Sequence, residues 1–269
     1  MRPCSCRGNR LSVNLAGRFE VYPMSKLAVL LTATIRCEDI PFVERKDAEL
    51  READYRWAIR GWLETKGLDT LIFCENSGAP LDALREYAAK ENRVGANLVF
   101  LSCNRNSGAR AFGKGYGEIE IISHAIEHTP DIDLHRLILK VTGRYRARNA
   151  ERLLRELRSM HGDILCSLRL NLAAADSRIF AITPICARNQ LVPRQSTIND
   201  SKGKYLEHVL ADAVHGTILS GGSWSPLPCE PLIYGISGTE GTRFGSSPIR
   251  RLGKLLRHAL VKACFSYDL

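Results

Sequence analysis

Three arginines lie close together in the sequence, at Arg144, Arg146 and Arg148. They follow the apolar stretch "RLILKVTG", which is typical of a buried strand, so the sequence predicts cations at the mouth of a strand. A guanidinium group can grip phosphate through two parallel hydrogen bonds. Because Arg144 is nearest to the predicted strand end, we expect it to bind a phosphate or diphosphate, whereas the other two are more typical of solvated surface charges.

The segment "FGKGYGE" (Phe112–Glu118) is a second candidate for anion binding. Its three glycines flank Lys114 and lead into a predicted helix, where free backbone N–H groups and a lysine attract anions. The spacing is neither that of a Walker A loop nor G-x-G-x-x-G. A flexible loop with a capped helix is therefore an equally good interpretation.

These groups need a scaffold, and the chain alternates strand-like and helix-like stretches. Apolar, β-rich runs predict strands at 26–35, 69–78, 97–103, 136–143, 163–170 and 177–184. Amphipathic patterns predict helices at 47–64, 80–91, 117–128, 149–159 and 198–216. Such alternation predicts an α/β fold in which helices flank a mostly parallel central sheet.

The predicted strands end in polar segments that could bind a ligand. Ligands of open α/β sheets bind beyond the carboxyl ends of the strands. Those ends read "TATIR", "CENSG", "SCNRNSGAR" and "TGRYRAR". The second and third offer amide and hydroxyl groups for a base or ribose, and the fourth offers guanidinium groups for phosphate. We therefore predict a ligand site at this edge of the sheet.

The order of these pieces resembles the nucleotide-sugar-binding half of GT-A-fold glycosyltransferases. The resemblance covers about 26–244 and is most specific in "FGKGYGEIEII" and "LKVTGRY". It points to bacterial proteins of capsule, lipopolysaccharide O-antigen or exopolysaccharide gene clusters that carry a K-[IV]-[TS]-G-R-Y segment. It implies a GT-A-like (Rossmann-like) fold and an enzyme that moves a sugar from a nucleotide-sugar donor to a saccharide or lipid-linked acceptor in surface polysaccharide biosynthesis.

The resemblance also implies a donor site with one departure from the family. Most GT-A enzymes end the fourth strand with Asp-x-Asp, which holds Mg²⁺ or Mn²⁺, whereas this chain reads Thr142-Gly143-Arg144 there. An arginine can stabilise phosphate charge in place of a metal, so Arg144 is implied as a catalytic group, with Lys140 or Lys114 as a further counter-charge. No cofactor is expected, with a divalent ion as the alternative; a nucleoside monophosphate sugar stays open as the donor. The implied donor-binding residues are Thr32, Thr34, Arg36, Asn76, Ser77, Arg110, Lys114, Gly115, Glu118, Lys140, Thr142, Gly143 and Arg144.

The second half of the chain is expected to supply the acceptor site and the base. In many GT-A enzymes a carboxylate near the start of a late helix deprotonates the acceptor hydroxyl, which implies Glu207 as the catalytic base, with Asp200 and Asp212 as weaker candidates. A merely solvated glutamate is the alternative. His208, Asp212 and His215 could share a metal by their spacing, but no fourth ligand suggests itself, so no metal site is predicted.

A long stretch rich in Gly, Pro, Ser and Thr spans Gly221–Phe244. Loops of this length in a compact domain are usually functional or disordered. Aromatic rings on such a loop suit the apolar C–H faces of sugars. We predict that Trp224, Tyr234, Ser237 and Thr239 bind the acceptor, with plain connecting coil as the alternative.

The ends of the chain differ from its middle. Residues 1–23 show no period and are predicted to be a disordered extension. Residues 24–245 predict a single domain, with the nucleotide-sugar half at 24–148 and the acceptor half at 149–245. Residues 246–269 predict a basic amphipathic helix, which either lies on an anionic membrane surface or docks on the domain.

Composition narrows the partners and the compartment. Lys and Arg number 38 against 29 Asp and Glu in 269 residues, a net charge of +9, which favours anionic partners. Nine cysteines without metal-like pairing indicate a reducing, cytoplasmic compartment, with peripheral attachment to the inner face of a membrane as an option. A sugar-nucleotide nucleotidyltransferase is an alternative, but "TATIRCEDIP" lacks the glycines expected after its first strand. A nucleic-acid-binding protein is disfavoured, and no nucleic acid partner is expected, because aromatic residues make up only 7%.

Overall fold

The computed structural model describes most of the chain, namely residues 12–13, 19–20, 26–37, 40–41, 43–237, 243–244, 253, 255–256 and 258–260. Most of the predicted N-terminal extension and C-terminal helix lies outside these residues. Within the extension, Ser12–Val13 (β1) and Phe19–Glu20 (β2) pair antiparallel with each other.

The described strands and helices alternate along the domain as expected. The strands are β3 (Lys26–Ala33), β4 (Thr70–Glu75), β5 (Asn97–Ser102), β6 (His135–Thr142), β7 (Tyr145–Ala147), β8 (Ile164–Leu165), β9 (Ile179–Ile182), β10 (Trp224–Ser225), β11 (Ile233–Ile236) and β12 (Arg243–Phe244). The α-helices are α1 (Ala48–Leu63), α2 (Asp82–Glu91), α3 (Ser107–Phe112), α4 (Lys114–His128), α5 (Ala150–Leu157), α6 (Pro184–Cys186) and α7 (Leu206–Leu219). A π-helix (Ala187–Leu191) and a 3-10 helix (Val192–Thr197) continue α6, and shorter 3-10 turns span Ile132–Leu134 and Asp200–Lys202.

A seven-stranded sheet in the order β10-β8-β9-β6-β3-β4-β5 forms the centre. The β6-β3-β4-β5 half is parallel throughout, and β8 also pairs parallel with β10. Among the described strands of this central sheet, only β9 runs antiparallel to its neighbours, β6 and β8. The predicted α/β class, with helices flanking a mostly parallel central sheet, is confirmed.

Both faces of the sheet are covered, which explains why β3 is an unbroken apolar run. Leu27, Val29 and Leu31 point into a cluster with α1, α2 and α5, whereas Ala28 and Leu30 point into a cluster with α4 and α7. Because successive strand residues alternate between faces, each side of β3 must be apolar to face its own layer of helices. The strand ends are thereby held between two packed layers.

Several predicted elements have different bounds; the predicted strand at 163–170, for example, is reduced to Ile164–Leu165. The predicted helix at 198–216 begins only at Leu206, because Gly203 adopts a left-handed φ of 76° that ends the preceding 3-10 turn. A new N-terminus forms where the backbone N–H of Tyr205 donates to Nδ1 of His208. The predicted helix at 117–128 starts earlier, at Lys114, so the glycines of "FGKGYGE" lie partly inside its first turn.

The carboxyl ends of β3, β4 and β6 are aligned at one edge of the sheet. Thr32 is paired with Cys74 on one side and with Thr142 on the other. The backbone N–H of Gly143 donates to the carbonyl of Thr32 at 2.9 Å, and a Cβ at this glycine would lie only 2.5 Å from that oxygen. Beyond it, β7 pairs with β11 in a three-stranded sheet, which brings the end of β11 to the same edge.

Candidate functional site

A cavity of about 340 Å³ opens at this edge of the sheet. It lies beyond the carboxyl ends of β3 and β6, against the first turns of α4 and α7. Both predicted halves contribute to its wall. The residues predicted from the sequence that line it are Thr32, Thr34, Asn76, Lys114, Glu118, Thr142, Arg144, Glu207 and Ser237.

Arg144 is the most unusual group in the wall. Its side chain is buried, with the residue only 6% exposed, yet Nη1 has no hydrogen-bond partner among the described residues. None of the described carboxylates forms an ion pair with it. A buried, uncompensated charge is unfavourable, so a guanidinium in this state favours an anion that enters the cavity.

Glu118 extends from the second turn of α4 to the ends of β3 and β6. Its Oε1 accepts hydrogen bonds from the hydroxyls of Thr32 at 2.9 Å and Thr142 at 3.3 Å, and it pairs with the ammonium of Lys140. Burial raises the pKa of Glu118, but the Lys140 charge and these hydrogen bonds outweigh that effect and hold the pKa below its usual value. The carboxylate is therefore ionised near neutral pH.

Lys140, predicted as a phosphate counter-charge, lies beneath the cavity and is absent from its lining. The residue is 1% exposed, and its Nζ also donates to the carbonyl of Ser177 at 2.6 Å and the hydroxyl of Thr142 at 3.3 Å. With the Glu118 contact, these partners use the three N–H donors of an ammonium group. Lys140 therefore fixes Glu118 rather than facing a ligand.

Thr34 and Asn76 form a polar corner next to the end of β4. The Thr34 hydroxyl donates to Oδ1 of Asn76 at 2.7 Å, and Nδ2 of Asn76 donates to the carbonyl of Gly117 at 3.4 Å. A Cβ at Gly117 would lie 2.7 Å from the Cβ of Ala109 and 3.2 Å from Nδ2 of Asn76. The helix can approach this corner only because position 117 lacks a side chain.

Ser77 and Arg36, both predicted to bind the donor, are not part of the lining. The Ser77 hydroxyl donates to the buried carboxylate of Glu75 and accepts from the backbone N–H of Arg36 at 3.0 Å. Glu75 also accepts from the backbone N–H groups of Ile35 and Ala79. The Ser77 hydroxyl thus joins the end of β4 to the segment after β3. The Arg36 side chain is exposed.

The predicted anion site at the start of α4 is taken by a carboxylate of the protein itself. Asp200 is buried and accepts from the backbone N–H of Gly115 at 3.5 Å. An ideal Cβ at Gly115 would lie 3.1 Å from the backbone nitrogen of Leu206, so this turn is covered. Burial raises the pKa of Asp200. Lys114 reaches the cavity, whereas Arg110 is exposed outside it.

Glu207 is the one predicted base that reaches the cavity. It lies in the first turn of α7, and its Oε1 accepts from the Ser177 hydroxyl at 2.7 Å. Asp212 instead pairs with Lys204 at 2.6 Å, and Asp200 caps α4. Within the described ranges, no group of three or more His, Cys, Asp and Glu side chains is arranged to hold a metal ion.

Three of the four predicted acceptor residues are described, and these three lie apart from one another. Ser237 lines the cavity and bonds to the phenol of Tyr145, whose pKa is raised by burial. Tyr234 lines another cavity, of about 220 Å³, where its ring meets Trp57 edge-on at 5.2 Å. Trp224 lies at the far edge of the sheet and donates to the carbonyl of Cys166 at 3.3 Å. Thr239 lies outside the described residues.

Several charged or polar residues of the wall were not predicted from the sequence, among them Arg51, Arg178 and Ser177. Arg51 on α1 donates to the carbonyl of Thr34 at 2.6 Å and to the hydroxyl of Tyr55 at 3.1 Å, which fixes the segment after β3. Arg178, just before β9, is paired with Asp176. Arg51 precedes Tyr55 by one helical turn and so lies on the buried stripe of the predicted helix. That position is the sequence pattern that could have identified it.

No family model and no curated protein matches the sequence. Among solved structures, the glycosyltransferase GlyE of Streptococcus pneumoniae TIGR4 is similar over 76% of this chain and 45% of its own, at 11% identity and a TM-score of 0.46. A cytidylyltransferase of Leptospira borgpetersenii is similar over 91% of this chain and 88% of its own, at 14% identity and a TM-score of 0.44. The galactosyltransferase LgtC, solved with donor and acceptor sugar analogs, is similar over 74% of this chain and 72% of its own, at 12% identity and a TM-score of 0.45. The chain thus spans less than half of the length of that GlyE chain.

Proposed function

We propose that the protein is a glycosyltransferase that moves a sugar from a nucleotide-sugar donor to an acceptor hydroxyl. The observation that carries the proposal is Arg144, a buried guanidinium in the wall of a cavity at the strand ends, whose Nη1 has no partner among the residues that the structure describes. Buried cations are normally paired. A phosphate group of the donor is the partner that this geometry suits best, because it can accept two parallel hydrogen bonds from one guanidinium.

The rest of the wall suits the other parts of such a donor. Thr34 and Asn76 offer hydroxyl and amide groups next to the β4 end, which fits a base or ribose. Lys114 supplies a second cation in the wall. Positive charge from Arg144 takes the part that a divalent ion plays in many transferases, so the proposal includes no resident metal.

Glu207 is proposed as the base in the transfer step. Its carboxylate accepts the proton of the acceptor hydroxyl while that oxygen forms a bond to the anomeric carbon of the sugar. The bond between this carbon and the donor phosphate breaks, and its electron pair leaves with the phosphate. Arg144 stabilises the charge that develops on the leaving oxygen. The products are the glycosylated acceptor and the free nucleotide.

The role in surface polysaccharide biosynthesis and the lipid-linked acceptor are finer parts of the proposal. Leu255, Leu256 and Leu260 in the C-terminal helical residues are 41%, 58% and 68% exposed. The surrounding sequence "IRRLGKLLRHALVK" is basic, which suits an anionic membrane surface. Within the described residues, no helix has the length and apolar character to cross a membrane.

Vesicle binding tests the membrane part. The protein is expected to co-sediment with phosphatidylglycerol vesicles and to lose that binding in Leu256→Glu. Leu170→Glu is the matched control, because Leu170 is 80% exposed but distant in sequence. Equal binding by both variants would contradict attachment through the C-terminal helix.

A thermal-shift screen tests the function itself. UDP, GDP, dTDP, CDP and CMP are added with EDTA or with Mn²⁺. At about 100 times its dissociation constant, a bound nucleotide adds about 2.7 kcal/mol of stability. At least one of these nucleotides is expected to stabilise the protein in EDTA. Stabilisation by none would overturn the proposal, and stabilisation only with Mn²⁺ would overturn its metal-free part.

A further inference from the structure

We infer that Glu118 binds hydroxyl groups of the sugar that is transferred, and that Lys140 is the positioning residue that holds its carboxylate for this purpose. The inference rests on the proposed function, since it assigns one part of the same cavity to one part of the donor. It follows from how the two oxygens of one carboxylate are used.

The contacts of Glu118 within the described residues all fall on one oxygen. Oε1 takes the bonds from Thr32, Thr142 and Lys140, and Oε2 has no protein partner there. The side chain is 21% exposed and belongs to the cavity wall. An ionised carboxylate only accepts hydrogen bonds, so Oε2 calls for a ligand that donates them.

The charge of Glu118 decides which part of the nucleotide sugar donates these hydrogen bonds. A phosphate is anionic and accepts hydrogen bonds, so it is repelled by this carboxylate and attracted to Arg144. A sugar ring is neutral and carries several O–H donors. The wall therefore has an anion-binding side at Arg144 and a hydroxyl-binding side at Glu118, which orients a glycosyl phosphate in one direction.

A chain of contacts ties this hydroxyl-binding side to the proposed base. Lys140 donates to the carbonyl of Ser177 at 2.6 Å, and the hydroxyl of the same serine donates to Glu207 at 2.7 Å. Glu118 and Glu207 are thus linked through Lys140 and Ser177. The part of the donor that must lie near the base is the sugar under attack, rather than the ribose.

Lys140 acts on the ligand only through Glu118. Without its charge, the burial that raises the pKa of Glu118 would no longer be outweighed, and the carboxyl would take up a proton at higher pH. The other charged or titratable groups of the wall are Cys37 after β3, Lys114 on the same helix, Arg144 and Tyr145 after β6, Arg178 before β9, Glu207 on α7 and Arg51 and Tyr55 on α1. Among the charged residues that the structure describes, Lys140 alone contacts the Glu118 carboxylate directly.

The experiment compares a nucleotide with its sugar conjugate. Calorimetry measures dissociation constants for the pairs UDP and UDP-glucose, GDP and GDP-mannose, and dTDP and dTDP-glucose. For a pair that the wild type binds, Glu118→Gln is expected to weaken the sugar conjugate by about 10- to 100-fold, the scale of a hydrogen bond to a charged group. The free nucleotide is expected to change less than about twofold, since it lacks the sugar hydroxyls.

The matched control is Glu120→Gln, which makes the same change on the same helix outside the cavity lining. It is expected to leave both constants unchanged. Equal weakening of nucleotide and conjugate by Glu118→Gln, or no weakening, would overturn the assignment while nucleotide binding by the wild type still supports the proposed function. Failure of the wild type to bind any nucleotide would overturn both.

A pH series separates positioning from simple packing. In Lys140→Met, the affinity for the sugar conjugate is expected to fall as the pH is lowered from about 8 to about 5, because the neutral Glu118 acid forms there. The wild type, whose Glu118 pKa is lowered, is expected to hold its affinity over this range. A variant affinity that is reduced equally at every pH would overturn the positioning role; if this variant does not fold, the Glu118→Gln comparison decides the inference.

Discussion

The hydroxyl of Ser177 donates a 2.7 Å hydrogen bond to Oε1 of Glu207. Ser177 is itself buried, and its carbonyl is held by Lys140. The Glu207 carboxylate is thereby joined to the end of β6 although it belongs to a different half of the chain. A base that must be aimed at a bound acceptor benefits from this kind of anchor.

Glu207→Gln is expected to lower the turnover of sugar transfer by about 10²–10⁴-fold, the usual contribution of a general base. Nucleotide affinity is expected to stay close to that of the wild type, because the amide keeps the side-chain size. Asp212→Asn serves as the control on the same helix and is expected to keep full turnover. A Glu207→Gln enzyme with normal kcat would remove this residue from the transfer step.

Arg144→Ala is expected to impair turnover far more than Arg148→Ala. Loss of one preorganised charge-stabilising group typically costs about 10²–10³ in rate. Arg148 is exposed and stacks over the ring of Tyr234 at 5.3 Å, away from the cavity. Arg144→Lys should also be poor, since an ammonium cannot form a two-pronged contact with phosphate. Nucleotide affinity is the measurement if no acceptor is at hand, and equal losses in both alanine variants would contradict the placement of the phosphate.

Asp200→Ala is expected to lower the free energy of unfolding by about 0.5–2 kcal/mol, the usual value of a helix cap. The reason is that Asp200 occupies the start of α4 from another part of the fold. Asp212→Ala breaks a half-exposed pair with Lys204 and should cost about 0–1 kcal/mol. Urea denaturation measures both, and an Asp200→Ala variant as stable as the wild type would show that this carboxylate does not cap the helix.

Deletion of residues 1–23 is expected to leave the melting temperature unchanged. In the described part of this segment, β1 and β2 pair only with each other and not with the central sheet. A chain that begins at Met24 should therefore keep its free energy of unfolding within about 0.5 kcal/mol of the full-length value. A clear drop in thermal stability would mean that the segment packs on the domain.

The sequence predicted the sheet edge well because alternation and strand ends are local patterns. Arg144 was expected at the mouth of a strand from its place after "KVTG" alone, and it lies there in the cavity wall. Lys140 was expected to face a phosphate but lies beneath the cavity, and nothing near it in sequence indicates that Glu118 lies beside it in the fold. The same holds for Asp200, which caps a helix 85 positions earlier in the chain. Pairings between distant charges decide which polar residues face a ligand, and these are not visible in a single sequence.

Gly143 restricts how this chain can vary. Any side chain there would come within 2.5 Å of the Thr32 carbonyl, and the clash is with backbone, which cannot rotate away. Substitution would force β3 and β6 apart at the point where Thr32, Thr142 and Arg144 come together. Loss of the glycine is therefore expected to displace the arginine as well, because the arginine is aimed correctly only while the two strands touch.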